Sequence, residues 1–256
     1  MNNLIDFDSF ENVITDFARN LKKSLEKLSG SFDFYKTFNK ELGEIISASF
    51  EKLPDSVKIF SKSGWYLTKE MTFSEIHNMA SLVQEDKISE VDSFMTQHIQ
   101  ENRDRIFRRL LDRFAERKVI LSSAIQAHER KDYFASIPIF LSQSDGLCYQ
   151  ITGYKLYTSE NKKPKVAKYH EQIEEGTFDH VLLQPLTISS SLVAHSETEG
   201  YKGYLNRHEV LHGLSLDYGT EVNSCKSISI LNFVGEILYN SNFEKKKKDK
   251  NSGLET

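Results

Sequence analysis

Apolar residues recur at helical spacing along most of this chain. One stripe covers residues 7–28 and ends at Ser29-Gly30, and a second covers residues 42–53 and ends at Pro54-Asp55. Positions i, i+3, i+4 and i+7 lie on one face of an α-helix, so each stripe predicts an amphipathic helix with one buried side. The glycine and the proline favour the end of each helix at these positions.

The longest helical signal covers about residues 90–131. It weakens near Ala115 and therefore predicts two consecutive helices. Before it, Thr72 and Glu75 have the spacing of a capping box, which marks the start of a shorter helix. The only tryptophan, Trp65, precedes this cap beside other large apolar residues, and we expect it to anchor the packing.

Charged residues alternate in sign along the outer side of this long segment. Arginines recur every four residues beside a second, mostly acidic row. This spacing favours a solvent-facing ladder of ion pairs, each worth roughly a few tenths of a kcal/mol. The alternative is an arginine stripe that faces RNA. The arginines are Arg105, Arg109, Arg113 and Arg117, and the second row is Asp104, Arg108, Asp112 and Glu116.

The C-terminal half starts with an apolar run that contains polar residues. Residues 137–148 predict a buried helix with Pro138 in its first turn. Gln143, Ser144 and Asp145 lie inside this run and form either a satisfied network in the core or an element of a site. The pattern then loosens over residues 153–203, which predicts a partly helical insertion.

The last ordered block of the chain covers residues 204–243. It begins with a histidine-containing segment, turns at Gly213 and ends in an apolar helix that Thr220 can cap. Helix, turn and helix are therefore expected around the candidate chemistry. A lysine-rich segment follows over residues 244–256, and we expect it to be a disordered, solvated tail.

Composition limits the functional classes. The 256 residues suffice for one large domain or a bundle with a small lobe. The net charge of −4 is not that of a general nucleic-acid binder, although a local cationic groove can still hold phosphates. Cys148 and Cys225 are too few for a disulfide framework, so we expect buried thiols. Without a secretory signal or an apolar run of about 18–20 residues, a cytoplasmic protein that makes no membrane contact is expected.

The segment from Asn206 to Gly213 is compatible with two chemistries. One is the zinc-binding helix of metalloproteases, which His208-Glu209-x-x-His212 matches. Two histidines one turn apart would hold the metal, and Glu209 would be the general base on metal-bound water. Glu236 follows at a spacing that could supply the third ligand.

The other chemistry is RNA cleavage without a metal, for which Arg207 and His212 are suited. Attack by the ribose 2′-hydroxyl needs a base for its proton, an acid for the leaving 5′-oxygen and a cation for the phosphorane charge. Histidine can serve the first two roles near neutral pH, and arginine the third. The two residues are about 140° apart around an ideal helix. A frayed helix start, the long arginine stem or a site shared between subunits must bring them together.

The pattern Arg207-x4-His212, with polar His208 after the arginine, resembles the signature of the HEPN superfamily. The surrounding residues 206–226 and the block 137–146 also resemble an uncharacterised bacterial family that carries this motif. The resemblance implies a helical bundle and metal-independent RNA cleavage to a 2′,3′-cyclic phosphate, with no cofactor. It also implies a homodimer with two motifs in one cleft, a toxin or phage-defence role, and a possible antitoxin or regulatory partner.

The resemblance also implies a set of site residues around the motif. Arg207 and His212 are expected to be catalytic, with His208 beside them. The residues expected to position or bind the RNA are Asn206, Tyr218 and Lys226, and Asp217 or Tyr218 is expected to orient His212.

A third alternative is a non-catalytic helical module for binding or immunity. Leu214 stands where several toxins of the superfamily carry a tyrosine, and other members of the superfamily have lost catalysis. In each case the predicted fold is mainly α. Residues 1–110 are expected to add N-terminal helices, and residues 111–243 to form the HEPN-like domain.

Overall fold

The structure, a computed structural model, describes residues 51–160, 163–175, 177–188, 190, 192 and 205–252. The chain divides into two compact units, Met1–Glu51 and Lys52–Thr256. The helix predicted over residues 7–28 lies outside the described residues. Apart from Glu51, the residues discussed below belong to the second unit.

The described part of the chain is mainly helical, as predicted. Its only strands, among the described residues, are β1 (Ser159–Glu160) and β2 (Lys163–Pro164), which pair antiparallel with Ser159 opposite Pro164. Short 3-10 turns cover Ala115–Arg117 and Gln184–Thr187, and a π-helix covers Phe233–Leu238. The helices are α1 (residues 51–62), α2 (Phe73–Gln84), α3 (Ile88–Arg113), α4 (Lys118–Glu129), α5 (Tyr133–Thr152), α6 (Ala167–His170), α7 (Phe178–Leu182), α8 (Arg207–Leu211), α9 (Glu221–Asn232) and α10 (Tyr239–Ser252).

Helix α9 lies at the centre of this unit. Every residue from 224 to 232 is buried, and a helix without an exposed face must be covered on all sides. Helices α3 and α5 pack against α9, and α4 packs against α5. The largest side chains of the core are Trp65, Tyr66, Phe60, Phe140 and Phe233.

Helix starts and breaks in the middle of the chain confirm the sequence predictions. The Thr72 hydroxyl accepts a hydrogen bond from the Glu75 amide, and the Glu75 carboxylate accepts one from the Thr72 amide, which completes the capping box of α2. The long signal over residues 90–131 forms α3 and α4, separated by the 3-10 turn that starts at Ala115. Thr220 caps α9 by accepting a hydrogen bond from the Asn223 amide.

Pro54 does not end a helix, so that prediction is wrong. Residues 51–62 are all helical, and Leu53, Val57 and Phe60 are fully buried on one side of α1. The apolar stripe continues past the proline. Burial of these side chains stabilises the helix on both sides of Pro54.

Pro138 lies in the interior of α5 and not in its first turn, because α5 already begins at Tyr133. A proline inside a helix has no N–H for the carbonyl four residues earlier, here that of Phe134. The Tyr218 hydroxyl donates a hydrogen bond to that carbonyl oxygen at 3.1 Å. A distant side chain therefore satisfies the group that the proline leaves free.

The predicted surface ladder is wrong for two of its arginines. Arg109 and Arg113 point inward, with only 20% and 15% of their side chains exposed, and both contact the carboxylate of Glu236. Arg109 also forms an ion pair with Glu70 at 2.8 Å. Glu236 is almost completely buried on the π-helix, and a buried carboxylate requires compensating positive charge. The same contacts leave these two arginines poorly placed for an RNA-facing stripe.

Two expected boundaries differ from the structure. The division expected between residues 110 and 111 falls inside α3, which packs against both α2 and α9. The lysine-rich segment expected to be disordered from residue 244 is helical as far as Ser252. Helix α10 continues directly from the π-helix, and lysine has a high helix propensity, so the helix extends into the polar segment. The expected insertion over residues 153–203 is partly helical where it is described.

The structure also bears on membrane contact. None of the helices in the described ranges combines the length and the apolar character that crossing a bilayer requires.

Candidate functional site

The motif forms the short helix α8 and the turn after it. Asn206 is the N-cap, because its side-chain oxygen accepts hydrogen bonds from the amides of His208 (2.9 Å) and Glu209 (3.3 Å). The helix ends at Leu211 with His212 as its C-cap, and Gly213 follows with φ 70°, a conformation that favours glycine. The Asn206 oxygen predicted to position the RNA thus stabilises the start of this helix.

Two imidazoles lie side by side on α8. The ring centroids of His208 and His212 are 4.3 Å apart, with an angle of 53° between the ring planes. One helical turn separates the two residues, so their side chains converge as the spacing predicts. His212 is exposed to solvent and His208 is half-buried. The pair is therefore accessible to a substrate.

Arg207 points towards the core side of α8. Its guanidinium carbon lies 5.0 Å from the ring centroid of Tyr157, and its Nε atom is buried without a hydrogen-bond partner. Helix α8 packs against α5, so this side of the motif faces the interior. Within the described residues, no hydrogen bond or ring contact joins Arg207 to His212.

The other residues predicted around the motif have structural partners. Lys226 is 2% exposed, its Nζ atom lies 2.9 Å from the carboxylate of Asp92, and burial lowers its pKa. The Tyr218 hydroxyl donates to Phe134 and not to His212. Asp217 accepts a hydrogen bond from the hydroxyl of Ser215 at 3.2 Å. Lys226 in particular belongs to the core.

Glu236, the third ligand of the zinc alternative, is engaged by cations. Lys69, Arg109 and Arg113 all form ion pairs with its carboxylate. Among the residues that the structure describes, no three histidine, cysteine, aspartate or glutamate side chains stand close enough together to hold a metal ion. The described part of the chain thus adds no support to the zinc alternative.

The polar trio of α5 is a satisfied network, the first of its two interpretations. The Gln143 side-chain oxygen accepts a hydrogen bond from Arg117 at 2.8 Å. The Asp145 carboxylate accepts hydrogen bonds from the amides of Leu156 (2.8 Å) and Tyr157 (3.3 Å). Ser144 contacts the Tyr157 hydroxyl at 2.8 Å. Two members of the trio therefore hold the residue on which Arg207 stacks.

Sequence reasoning did not identify a second polar cluster, which lies in the core around His128. The His128 Nδ1 atom is 2.8 Å from the Ser224 hydroxyl, which is 3.1 Å from the Ser136 hydroxyl. Burial lowers the pKa of His128 to about 4, and the charge of Arg103 acts in the same direction. His128 and Ser224 are 96 positions apart, so no local pattern links them. The buried histidine is neutral near pH 7.

We expect this cluster to make stability depend on pH. The unfolded chain takes up a proton on His128 near the ordinary value of 6.5, whereas the folded chain resists protonation until about pH 4. The neutral His128 therefore makes its full contribution to the free energy of unfolding above about pH 6.5. This free energy falls by at most about 3 kcal/mol as the pH drops towards 4. Urea unfolding of the wild type and of His128→Gln between pH 7 and pH 4 measures this. Parallel pH profiles for the two proteins would contradict the assignment.

Comparison with known proteins finds no matching family model, no matching curated protein and no matching solved structure. The resemblance of the motif to the HEPN signature therefore stays a prediction that depends on the residues of α8 and its flanks.

Proposed function

We propose that this chain is a metal-independent endoribonuclease whose site is the exposed face of α8. His212 is the general base on the ribose 2′-hydroxyl, and His208 beside it is the proton donor to the leaving oxygen. Arg207 supplies positive charge to the phosphate. A homodimer that joins two motifs, and a toxin or phage-defence role with a partner protein that controls it, belong to the same proposal and derive from the motif resemblance alone.

The observation that carries the proposal is the contact between the two imidazoles on an accessible surface. The 2′-oxygen attacks phosphorus while His212 takes its proton. The bond from phosphorus to the 5′-oxygen then breaks, and that oxygen takes a proton from His208. The products are a 2′,3′-cyclic phosphate and a 5′-hydroxyl, so atoms and charge balance without a metal. Imidazole side chains can both accept and donate a proton, so two of them placed together suit such a proton exchange.

The test is cleavage of RNA in the presence of a strong chelator. Purified protein is incubated with total RNA, with and without EDTA, beside the Glu209→Ala variant. We expect cleavage that neither EDTA nor Glu209→Ala reduces by more than about twofold, because Glu209 has no chemical role in this mechanism. Loss of activity in EDTA and in Glu209→Ala, with one zinc ion bound per chain, would instead establish the metal mechanism.

One observation favours a second candidate, a non-catalytic helical module that binds RNA or protein. In a single chain, Arg207 stacks on a buried ring and does not contact His212. If Arg207 serves packing alone, the chain would bind without cleaving. RNA that is bound in a gel-shift assay but remains intact after long incubation would support this candidate over the ribonuclease.

A further inference from the structure

We propose that Tyr157 is a positioning residue for Arg207, with its ring as a platform that holds the guanidinium on the core side of α8. The effect on cleavage depends on the proposed function, but the platform itself does not. Tyr157 lies outside the motif, in the loop that follows α5, and the ribonuclease mechanism assigns it no chemical step.

The hydroxyl of Tyr157 is held by a defined chain of hydrogen bonds. Ser144 donates its one hydroxyl proton to the carbonyl oxygen of Leu141 at 2.8 Å. The 2.8 Å contact between the Ser144 and Tyr157 hydroxyls therefore has Tyr157 as its donor. Burial raises the pKa of Tyr157, so the phenol stays protonated and keeps this bond at physiological pH.

The backbone beside the ring is held as well. The Asp145 carboxylate accepts hydrogen bonds from the amides of Leu156 and Tyr157. Both residues are buried, at 2% and 7% exposure. Helix α5 thus holds Tyr157 at the hydroxyl and at the main chain, so the ring cannot swing away from this position without breaking these bonds.

Arg207 packs against the ring of Tyr157. Its guanidinium carbon lies 5.0 Å from the ring centroid, within the range of a cation–π contact, and its Nε atom is buried. A guanidinium stacked on an aromatic face keeps its N–H donors in its own plane, where a phosphate can accept two of them. The platform therefore sets the position of the positive charge.

The first test measures the platform without reference to RNA cleavage. Phenylglyoxal modifies accessible arginines, and peptide mass mapping reports the rate at Arg207 in the folded chain. We expect Tyr157→Leu to react about five- to tenfold faster at Arg207 than wild type, because the cation–π contact is lost. Tyr157→Phe keeps the ring and the main-chain bonds and loses only the hydroxyl bond, so it should react within about twofold of the wild-type rate. The matched control is Tyr169→Leu. Tyr169 is also buried, and the Nζ atom of Lys245 lies 5.2 Å from its ring centroid.

The second test measures cleavage of an RNA oligonucleotide by the same variants. We expect Tyr157→Leu to lower kcat about tenfold with KM changed less than about twofold, because the charge acts mainly on the phosphorane. Tyr157→Phe should restore most of the wild-type kcat, because it keeps the ring face against which Arg207 packs. Tyr169→Leu should leave kcat unchanged.

Either test can overturn the inference. An Arg207 modification rate that is the same in wild type and Tyr157→Leu, or a Tyr157→Phe variant that behaves like Tyr157→Leu, rules out the ring as the platform. If Tyr157→Leu does not fold, the wild-type NMR spectrum decides, because the ring must shift the side-chain protons of Arg207 upfield. Absence of cleavage by the wild type rejects the ribonuclease proposal alone, since the modification rates still test the platform.

Discussion

Replacement of His212 by alanine is expected to lower the rate of RNA cleavage by about 10²- to 10⁴-fold, the range typical of a lost general acid or base. His212 is exposed at the end of α8, and its side chain has no role in the core, so the variant should fold like the wild type. The measurement is kcat on a defined RNA oligonucleotide, together with urea unfolding to confirm an unchanged free energy of unfolding.

The chain offers a matched control for this variant. His170 and His180 form a second pair of imidazoles, also with ring centroids 4.3 Å apart. In that pair the His170 Nε2 atom lies 2.8 Å from the main-chain carbonyl oxygen of His180. This contact stabilises the fold and assigns the pair no part in cleavage. His180→Ala should therefore cleave RNA at the wild-type rate. Equal losses in His180→Ala and His212→Ala would mean that the activity does not belong to α8.

Replacement of Glu236 by alanine is expected to lower the free energy of unfolding by about 3–5 kcal/mol. The carboxylate is 4% exposed and lies among Lys69, Arg109 and Arg113. Its removal leaves Arg109 paired with Glu70 and Arg113 hydrogen-bonded to the neutral carbonyl oxygen of Gly235. Burial raises the pKa of Glu70, but hydrogen bonding and charge from Arg109 outweigh it and hold that pKa below its usual value. Urea unfolding of the variant measures the loss.

An exposed ion pair provides the control for Glu236. Glu160 contacts Lys168 at 2.7 Å, but both side chains are about half exposed. Removal of a surface partner costs about 0–1 kcal/mol, because water replaces the contact. Glu160→Ala should therefore unfold almost like the wild type. A similar small loss in Glu236→Ala would show that the buried cluster does not hold the π-helix against α3.

Local patterns in the sequence predicted the helices and several of their ends. The capping box at Thr72, the cap at Thr220 and the break at Ala115 depend on a few neighbouring residues, and each is present in the structure. The convergence of His208 and His212 is local in the same sense, because one helical turn fixes it. Such features follow from residues that are close together in the sequence.

Features that depend on distant partners could not be predicted. Arg109 and Arg113 have the same spacing as surface arginines, and only the fold shows that Glu236 faces them. The consequence of Pro138 depends in the same way on Tyr218, which lies 84 positions from the carbonyl that it satisfies. Spacing along one helix carries no information about such partners.

The candidate site contains both local features and features that depend on distant partners. The position of Arg207 at the start of a helix was readable, but its stacking on Tyr157 was not, because Tyr157 lies in a loosely patterned segment. Lys226 was expected to bind substrate because it lies in the block that resembles the family carrying the HEPN-type motif. Its helix is buried on all sides, so the ammonium group instead pairs with Asp92.

The most direct measurement concerns the nucleophile. One RNA oligonucleotide is cleaved in the presence of EDTA, the cut position is mapped, and the same oligonucleotide is made with a single 2′-deoxyribose immediately 5′ of the cut. Attack by the 2′-hydroxyl predicts a terminal 2′,3′-cyclic phosphate in the first case and no cleavage at the substituted position in the second. Cleavage that persists at the 2′-deoxy position would require a different nucleophile and would contradict a mechanism that depends on two histidines and an arginine alone.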